Sequence, residues 1–222
     1  MQRHFDEELQ QLKSDIMKMA SLTRQALMNA VEALKNRDPV AAKRVIDGDT
    51  QLDALELEID EKCINLIALH QPMAGDLRFI TTGMKLNTKL ERIGDLAVDV
   101  AQRALDVSGK PLLKPLVDIP RLALIAGRMT GEAIESFIKS DAGLARKVVL
   151  SDPEADEIKR AVEKELIYDY MMKDGSTADR AVPLLLAARH LERICDHAVS
   201  MAEDIIYMVE ARVVRHHPEA LK

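Results

Sequence analysis

The chain has 222 residues, enough for one large domain or two of ordinary size, and a formal charge of −6. Apolar residues make up 47% of it, yet it has three Phe, three Tyr, no Trp and only nine Gly. Leu, Ile, Val, Ala and Met therefore supply the core, which argues for packed helices and against a sandwich or barrel. The acidic balance and the lack of a long basic run argue against a nucleic-acid-binding surface; Arg212 to His217 is the nearest approach and reads as a cationic helix end.

In chain order, the first amphipathic pattern runs from Glu7 to about Asn36 and stops before Asp38-Pro39, where the residue ahead of proline disfavours helix. A second helix is predicted over 39–69 with a break near 47–50, ending at Pro72 and Gly75. The third is predicted over 76–107, closed by Ser-Gly-Lys-Pro. Lys110 to Pro120 contains three prolines and forms a joint. Beyond it the pattern returns as helices at about 119–140, 141–172 with a break near Ser151-Asp152-Pro153, and 177–213.

No apolar run approaches the roughly 20 residues of a spanning helix, and the start carries no signal-peptide core. A soluble, cytoplasmic protein without membrane insertion is expected. Cys63 and Cys195 are isolated, which excludes a Cys-x-x-Cys site and predicts buried bystander thiols.

The two halves repeat each other. At an offset of 103, residues 38–46 fall on 141–149, and Asp49 and Asp53 fall on Asp152 and Asp156. At an offset of 101, Leu90 to Val98 (LERIGDLAV) falls on Leu191 to Val199 (LERICDHAV), differing only at Gly94/Cys195 and Leu96/His197. The expected architecture is all-α: six long antiparallel helices in two three-helix bundles, residues 1–110 and 111–222, related by a pseudo-two-fold repeat.

On the third helix Leu86, Leu90, Ile93, Ala97 and Val100 form the core stripe. Glu91, Asp95 and Asp99 fall about 40° apart on the opposite side. The last helix places Glu192, Asp196 and Ser200 in the same way. Such acids can be solvated faces paired locally, Arg92 with Asp95, Arg193 with Asp196 and Arg189 with Glu192. They can also be a ridge of carboxylate oxygens for a hard or borderline cation. Positions such as Lys89/His190 and Asp99/Ser200 differ between the halves, as solvent-facing positions would, whereas the Glu, Arg and Asp of the motif recur. A ferritin-like di-iron bundle is not indicated, because no acid stands three residues before any His. His190 and His197 share a helix face, a solvated or interface feature.

The paired Glu-x-x-x-Asp motifs, Glu91 to Asp95 and Glu192 to Asp196, together with the loop Gln71-Pro-Met-Ala-Gly-Asp-Leu-Arg78, resemble the PhoU family over nearly the whole chain. The resemblance implies a non-enzymatic regulator of phosphate uptake and phosphate-responsive signalling. It also implies metal ligation by Glu91, Asp95, Glu192 and Asp196, with Asp99 extending the first motif where Ser200 interrupts the second. The ion would be iron, zinc, manganese or magnesium. The implied partners are a sensor histidine kinase and the ATPase subunit of a phosphate transporter. A homodimer is expected as the commonest assembly. Two other readings stay open: a metal-independent helical scaffold that docks partners through the acidic ridges, and a metal-dependent phosphohydrolase, for which Asp76 and Arg78 would more simply be a charge pair capping the third helix.

Overall fold

A computed structural model describes residues 2–214. Six helices carry the chain: α1 (Gln2–Asn36), α2 (Pro39–His70), α3 (Ala74–Val107), α4 (Asp118–Lys139), α5 (Ala142–Lys164) and α6 (Ala178–Glu210). Among the described residues there is no strand.

Each half turns its first corner in the same way. Arg37 and Ser140 take left-handed backbone, with φ of 54° and 52°. Asp38 then accepts from the amides of Val40 and Ala41, and Asp141 from that of Leu144. These short acids satisfy N–H groups that have no partner inside a helix, which is why the next helix starts there.

Two predicted breaks are absent. α2 runs unbroken through Gly48, and α5 through Pro153. In both, apolar residues flanking the weak point (Val45 and Leu52, Val148 and Ala155) are buried, and this packing outweighs the local cost of Gly or Pro. The irregularity in the second repeat lies further on, where Glu165–Met171 continues α5 as a π-helix before a 3-10 turn at Gly175–Thr177. Pro183 sits in an early turn of α6. Having no N–H, it leaves the carbonyl of Asp179 without its helical donor, and the ammonium of Lys110 donates to that oxygen at 3.0 Å.

α1, α2 and α3 form one bundle and α4, α5 and α6 the other, and the two share a single core because α3 packs along α6 and α1 along α4. Phe79 of α3 stacks on Phe137 of α4, with centroids 4.4 Å apart. The α3–α6 seam is antiparallel and carries its own polar ties. Lys85 and Lys89 both reach Asp204, whose side chain is only 10% exposed, and Lys89 also donates to the Ser200 carbonyl.

This seam corrects the reading of positions 89, 99, 190 and 200 as solvent-facing. Lys89 meets Ser200 on one side of the pseudo-dyad, and His190 stands 3.5 Å from Asp99 on the other. These residues differ between halves because each contact is made by unlike partners, a cation on a carbonyl in one and an imidazole beside a carboxylate in the other. Arg78 is likewise not a cap for α3: it donates to the carbonyl of Met208 and fastens the start of α3 to the last turns of α6.

Candidate functional site

The acids opposite the core stripe of α3 do not look straight into water. They sit under the edge of α2, which brings Asp49, Asp53 and Glu56 to the same place. Asp49 is held above the ordinary carboxylate range by burial and by the charges of Asp53 and Asp95. Burial also raises Glu91, with Asp95, Glu56 and Asp53 adding repulsion. Glu56 is raised by burial, Asp60, Asp53 and Asp95. Helix proximity creates the cluster, and Gly94 permits that proximity: a Cβ there would lie 2.8 Å from Leu52 Cδ1 and 3.7 Å from Asp49 Oδ1.

The second repeat builds the counterpart from Asp152 and Asp156 on α5 and Glu192 and Asp196 on α6. Asp152 is raised by burial, Asp156 and Glu192. Asp196 is pushed up to about 6 by burial, then by Glu192, Asp152 and Asp156, with Arg193 opposing weakly. At the close-approach point Cys195 replaces Gly94 and Ala155 replaces Leu52, both fully buried. The larger residue has changed helix, so the packing at the crossing is kept.

The clusters differ in their arginines. Arg92 Nη1 donates to Asp95 at 2.9 Å, and its Nε stands 3.4 Å from Glu91, as the local pairing predicts. The corresponding pairs of Arg193 with Asp196 and of Arg189 with Glu192 are not formed among the described residues. Asp196 therefore keeps its repulsion, whereas the first cluster is partly neutralised from within.

Of the five acids singled out from sequence, Glu91 and Asp95 share one cluster and Glu192 and Asp196 the other. Asp99 is apart, beside His190 at the seam. Burial lowers the proton affinity of His190, with Asp99 opposing and Arg103, Arg193 and Arg189 reinforcing. His197 is lowered by burial, Arg193, Lys89 and Arg92, which marks it as a second seam residue. The residues missed as ligand candidates are Asp49, Asp53, Asp152 and Asp156. Their recurrence at the same offset was the available signal; that they face the motif acids needed the helix pairing. Both cysteines are buried and unpaired, the Cys63 thiol being pushed up to about 12 by burial.

The donor set tests the fit for a metal. Each cluster offers carboxylate oxygens from two adjacent helices, the ligands preferred by hard cations, and their mutual repulsion is what a cation relieves. Among the described residues no group of three or more acids, histidines or cysteines is already disposed around one point to hold an ion, so holding one would require side-chain rotation, and in the first cluster displacement of Arg92.

Comparison with known proteins bears on the fold and its repeat. The family model described as the PhoU domain matches twice, at residues 16–104 and 119–205. The chain belongs to the PhoU family. It is 41% identical over 209 residues to the phosphate-specific transport system accessory protein PhoU homolog of Aquifex aeolicus, covering 94% of each chain. With the accessory protein PhoU of Escherichia coli it shares 32% identity, covering 96% of this chain and 88% of the other. The crystal structure of PhoU from Pseudomonas aeruginosa superposes with a TM-score of 0.88 at 35% identity, covering 94% of this chain and all of that one. Each matched segment opens within a repeat's leading helix, α1 or α4, and closes near the end of the helix bearing its motif, so the family unit is the three-helix repeat.

Proposed function

We propose that this chain is a non-enzymatic, cytoplasmic regulator of phosphate uptake that binds metal ions at its two acidic clusters and acts by contacting other proteins. The names of its relatives, accessory proteins of phosphate-specific transport, support the phosphate role. Among the described residues, no helix is long and apolar enough to cross a membrane, which suits a protein that works on a transporter from outside the bilayer. The partners in this reading are the transporter's ATPase subunit and a sensor histidine kinase, met by a homodimer.

The observation that carries the metal reading is the recurrence of four acids across two helices in both repeats, where burial and then the neighbouring charges of the set raise Asp49 and Glu91 in one and Asp152 and Asp196 in the other. Asp49, Asp53, Glu91 and Asp95 would hold one ion and Asp152, Asp156, Glu192 and Asp196 the other. Iron, manganese or magnesium suits all-oxygen donors best, with zinc as a further candidate. A bound cation would supply positive charge to an otherwise repulsive ridge and so a place for an acidic group of a partner. The chain's own residues set the conditions: the α2–α3 and α5–α6 crossings fix the spacing of the acids, and Arg92 competes for the first set.

Elemental analysis of the purified protein beside a double variant, Asp95→Ala with Asp196→Ala, tests this. Stoichiometric metal in the parent and its loss in the variant is expected. Equal metal content in the two, or none in the parent after incubation with Mn²⁺ or Fe²⁺, would leave acidic ridges that serve partner contact without a metal.

A further inference from the structure

Helix α2 is apolar on two sides. Its inner stripe, Leu52, Leu55, Ile59, Cys63 and Leu66, is buried against α1 and α3. On the opposite side Thr50, Ala54, Leu57, Glu61, Ile64 and Ala68 are exposed, at alternating intervals of four and three residues. That alternation keeps them in one line along the helix and is the spacing by which one helix seats against another. Leu57 and Ile64, the large members, are 67% and 55% exposed. A helix with one packed face ordinarily turns polar residues to water, and no described element covers this second stripe. The second repeat lacks it: at the offset of 103 Ala54, Leu57 and Glu61 become Glu157, Arg160 and Lys164, and Thr50 becomes Pro153. The stripe is therefore no by-product of the duplicated fold, which forms in the second repeat without it.

The charge around the stripe has one sign. From Asp47 to Glu61 α2 carries seven acids and no Lys or Arg, whereas the corresponding stretch of α5, 150–164, mixes five acids with three bases. Asp49, Asp53 and Glu56 belong to the first acidic cluster, but Glu58 and Glu61 do not. Glu61 stands within the stripe, between Leu57 and Ile64, and Glu58 stands beside it. Lys62, four residues after Glu58 and so placed to neutralise it, pairs instead with Asp15 of α1. Glu58, Glu61 and the 74% exposed Leu69 also wall an open trough of about 470 Å³ between α1 and α2, with Glu8 on its other bank. The trough leaves room beside the stripe for long side chains, and its acids outnumber its one base.

We propose that the outer face of α2 docks a basic amphipathic helix of another protein, whose apolar residues pack on Leu57 and Ile64 and whose Lys or Arg side chains reach Glu58 and Glu61. An apolar stripe at helical spacing selects a helix, and the one-signed charge around it selects a cationic one. A second copy of this chain using the same face would set acid against acid, and an anionic lipid surface would be repelled in the same way. The proposal rests on the reading that the chain acts by contacting other proteins, and it supplies the face and the chemistry of one such contact. It does not depend on bound metal.

The test titrates full-length protein into a fluorescent synthetic peptide of Leu and Lys arranged as an amphipathic helix of about four turns, beside a second peptide with Glu for every Lys. Saturable anisotropy with the Lys peptide is expected, with Kd on the order of 10 μM, and none with the Glu peptide. Leu57→Asn with Ile64→Asn should weaken binding by about tenfold or more. Glu58→Gln with Glu61→Gln should weaken it less and remove much of its salt dependence. Leu124→Asn with Leu150→Asn, which removes side chains 61% and 69% exposed on α4 and α5, should bind as the parent does. Hydrogen exchange on the unsubstituted chain gives a readout that no variant's folding can disturb: the Lys peptide should protect residues 50–68 and leave 153–171 unchanged. Absence of saturation, equal binding of the Glu peptide, binding unchanged by Leu57→Asn with Ile64→Asn, or protection in α5 instead of α2 overturns the proposal. Neither phosphate nor a transporter enters this experiment, so it can fail while the regulatory reading stands; that reading fails separately if cells lacking the chain regulate phosphate uptake normally.

Discussion

Replacing Asp196 by Asn removes one charge from the second acidic cluster while keeping the side chain's shape. The folded state holds this carboxyl at about 6 against an ordinary 3.8, because burial and three neighbouring acids oppose its ionisation. Full conversion of that difference gives a ceiling of about 3 kcal/mol. Asp196 is a solvent-exposed residue, so screening reduces the expected effect to about 1 kcal/mol. A raised carboxyl means that the native state binds the proton more tightly than the unfolded chain does. The parent therefore loses stability as pH rises from about 4 to about 6, and the variant avoids that loss. Urea unfolding in the presence of a chelator should show Asp196→Asn more stable than the parent by about 1 kcal/mol at pH 7.5, equivalent to roughly 2–4 °C in Tm for a chain of this size. The advantage should vanish below about pH 4. With Mn²⁺ in place of chelator the order should reverse, since only the parent keeps the full donor set. A variant less stable than the parent at pH 7.5 in chelator, or a difference indifferent to pH, would refute the electrostatic account of the cluster.

At the crossing beside the first cluster, Gly94→Ala should destabilise by about 1–2 kcal/mol through contact with Leu52, net of the helix preference for Ala. Combining Gly94→Cys with Leu52→Ala reproduces the second repeat's arrangement and should be more stable than either single variant, which a double-mutant cycle by chemical denaturation would measure. In the seam, Asp204 is raised by burial, but its hydrogen bonds and charge contacts with Lys89 and Lys85 outweigh this and lower it overall. Asp204→Asn should therefore cost about 3 kcal/mol near neutral pH by leaving Lys89 without its buried partner. That cost should shrink as pH falls below the ordinary value of 3.8, where the unfolded chain takes up the proton first, and vanish only once the lowered carboxyl of the folded parent is protonated too. An unchanged midpoint at pH 7 would mean that the pair does not tie the repeats together.

Much of the fold was legible because it is written in local terms and written twice. The long amphipathic periods, the Asp38 and Asp141 corners and the proline-rich joint each act within a few residues of chain, where propensity and capping decide. The places where that reading failed are those where packing outweighs propensity. Gly48 and Pro153 lie inside unbroken helices, and the irregularity moved to Glu165–Met171.

For the candidate site, the helical wheel correctly placed Glu91, Asp95, Glu192 and Asp196 away from the core stripe. A wheel describes one helix, however, and cannot show what lies above it. Only the pairing of α2 with α3 and of α5 with α6 set Asp49, Asp53, Asp152 and Asp156 against the motif acids, and only the α3–α6 seam drew Asp99 to His190. Spacing along a chain sets the direction in which a side chain leaves its own helix. Burial, repulsion and ion pairing depend on charges brought from residues some forty positions away or more, and those distances exist only once the helices pack.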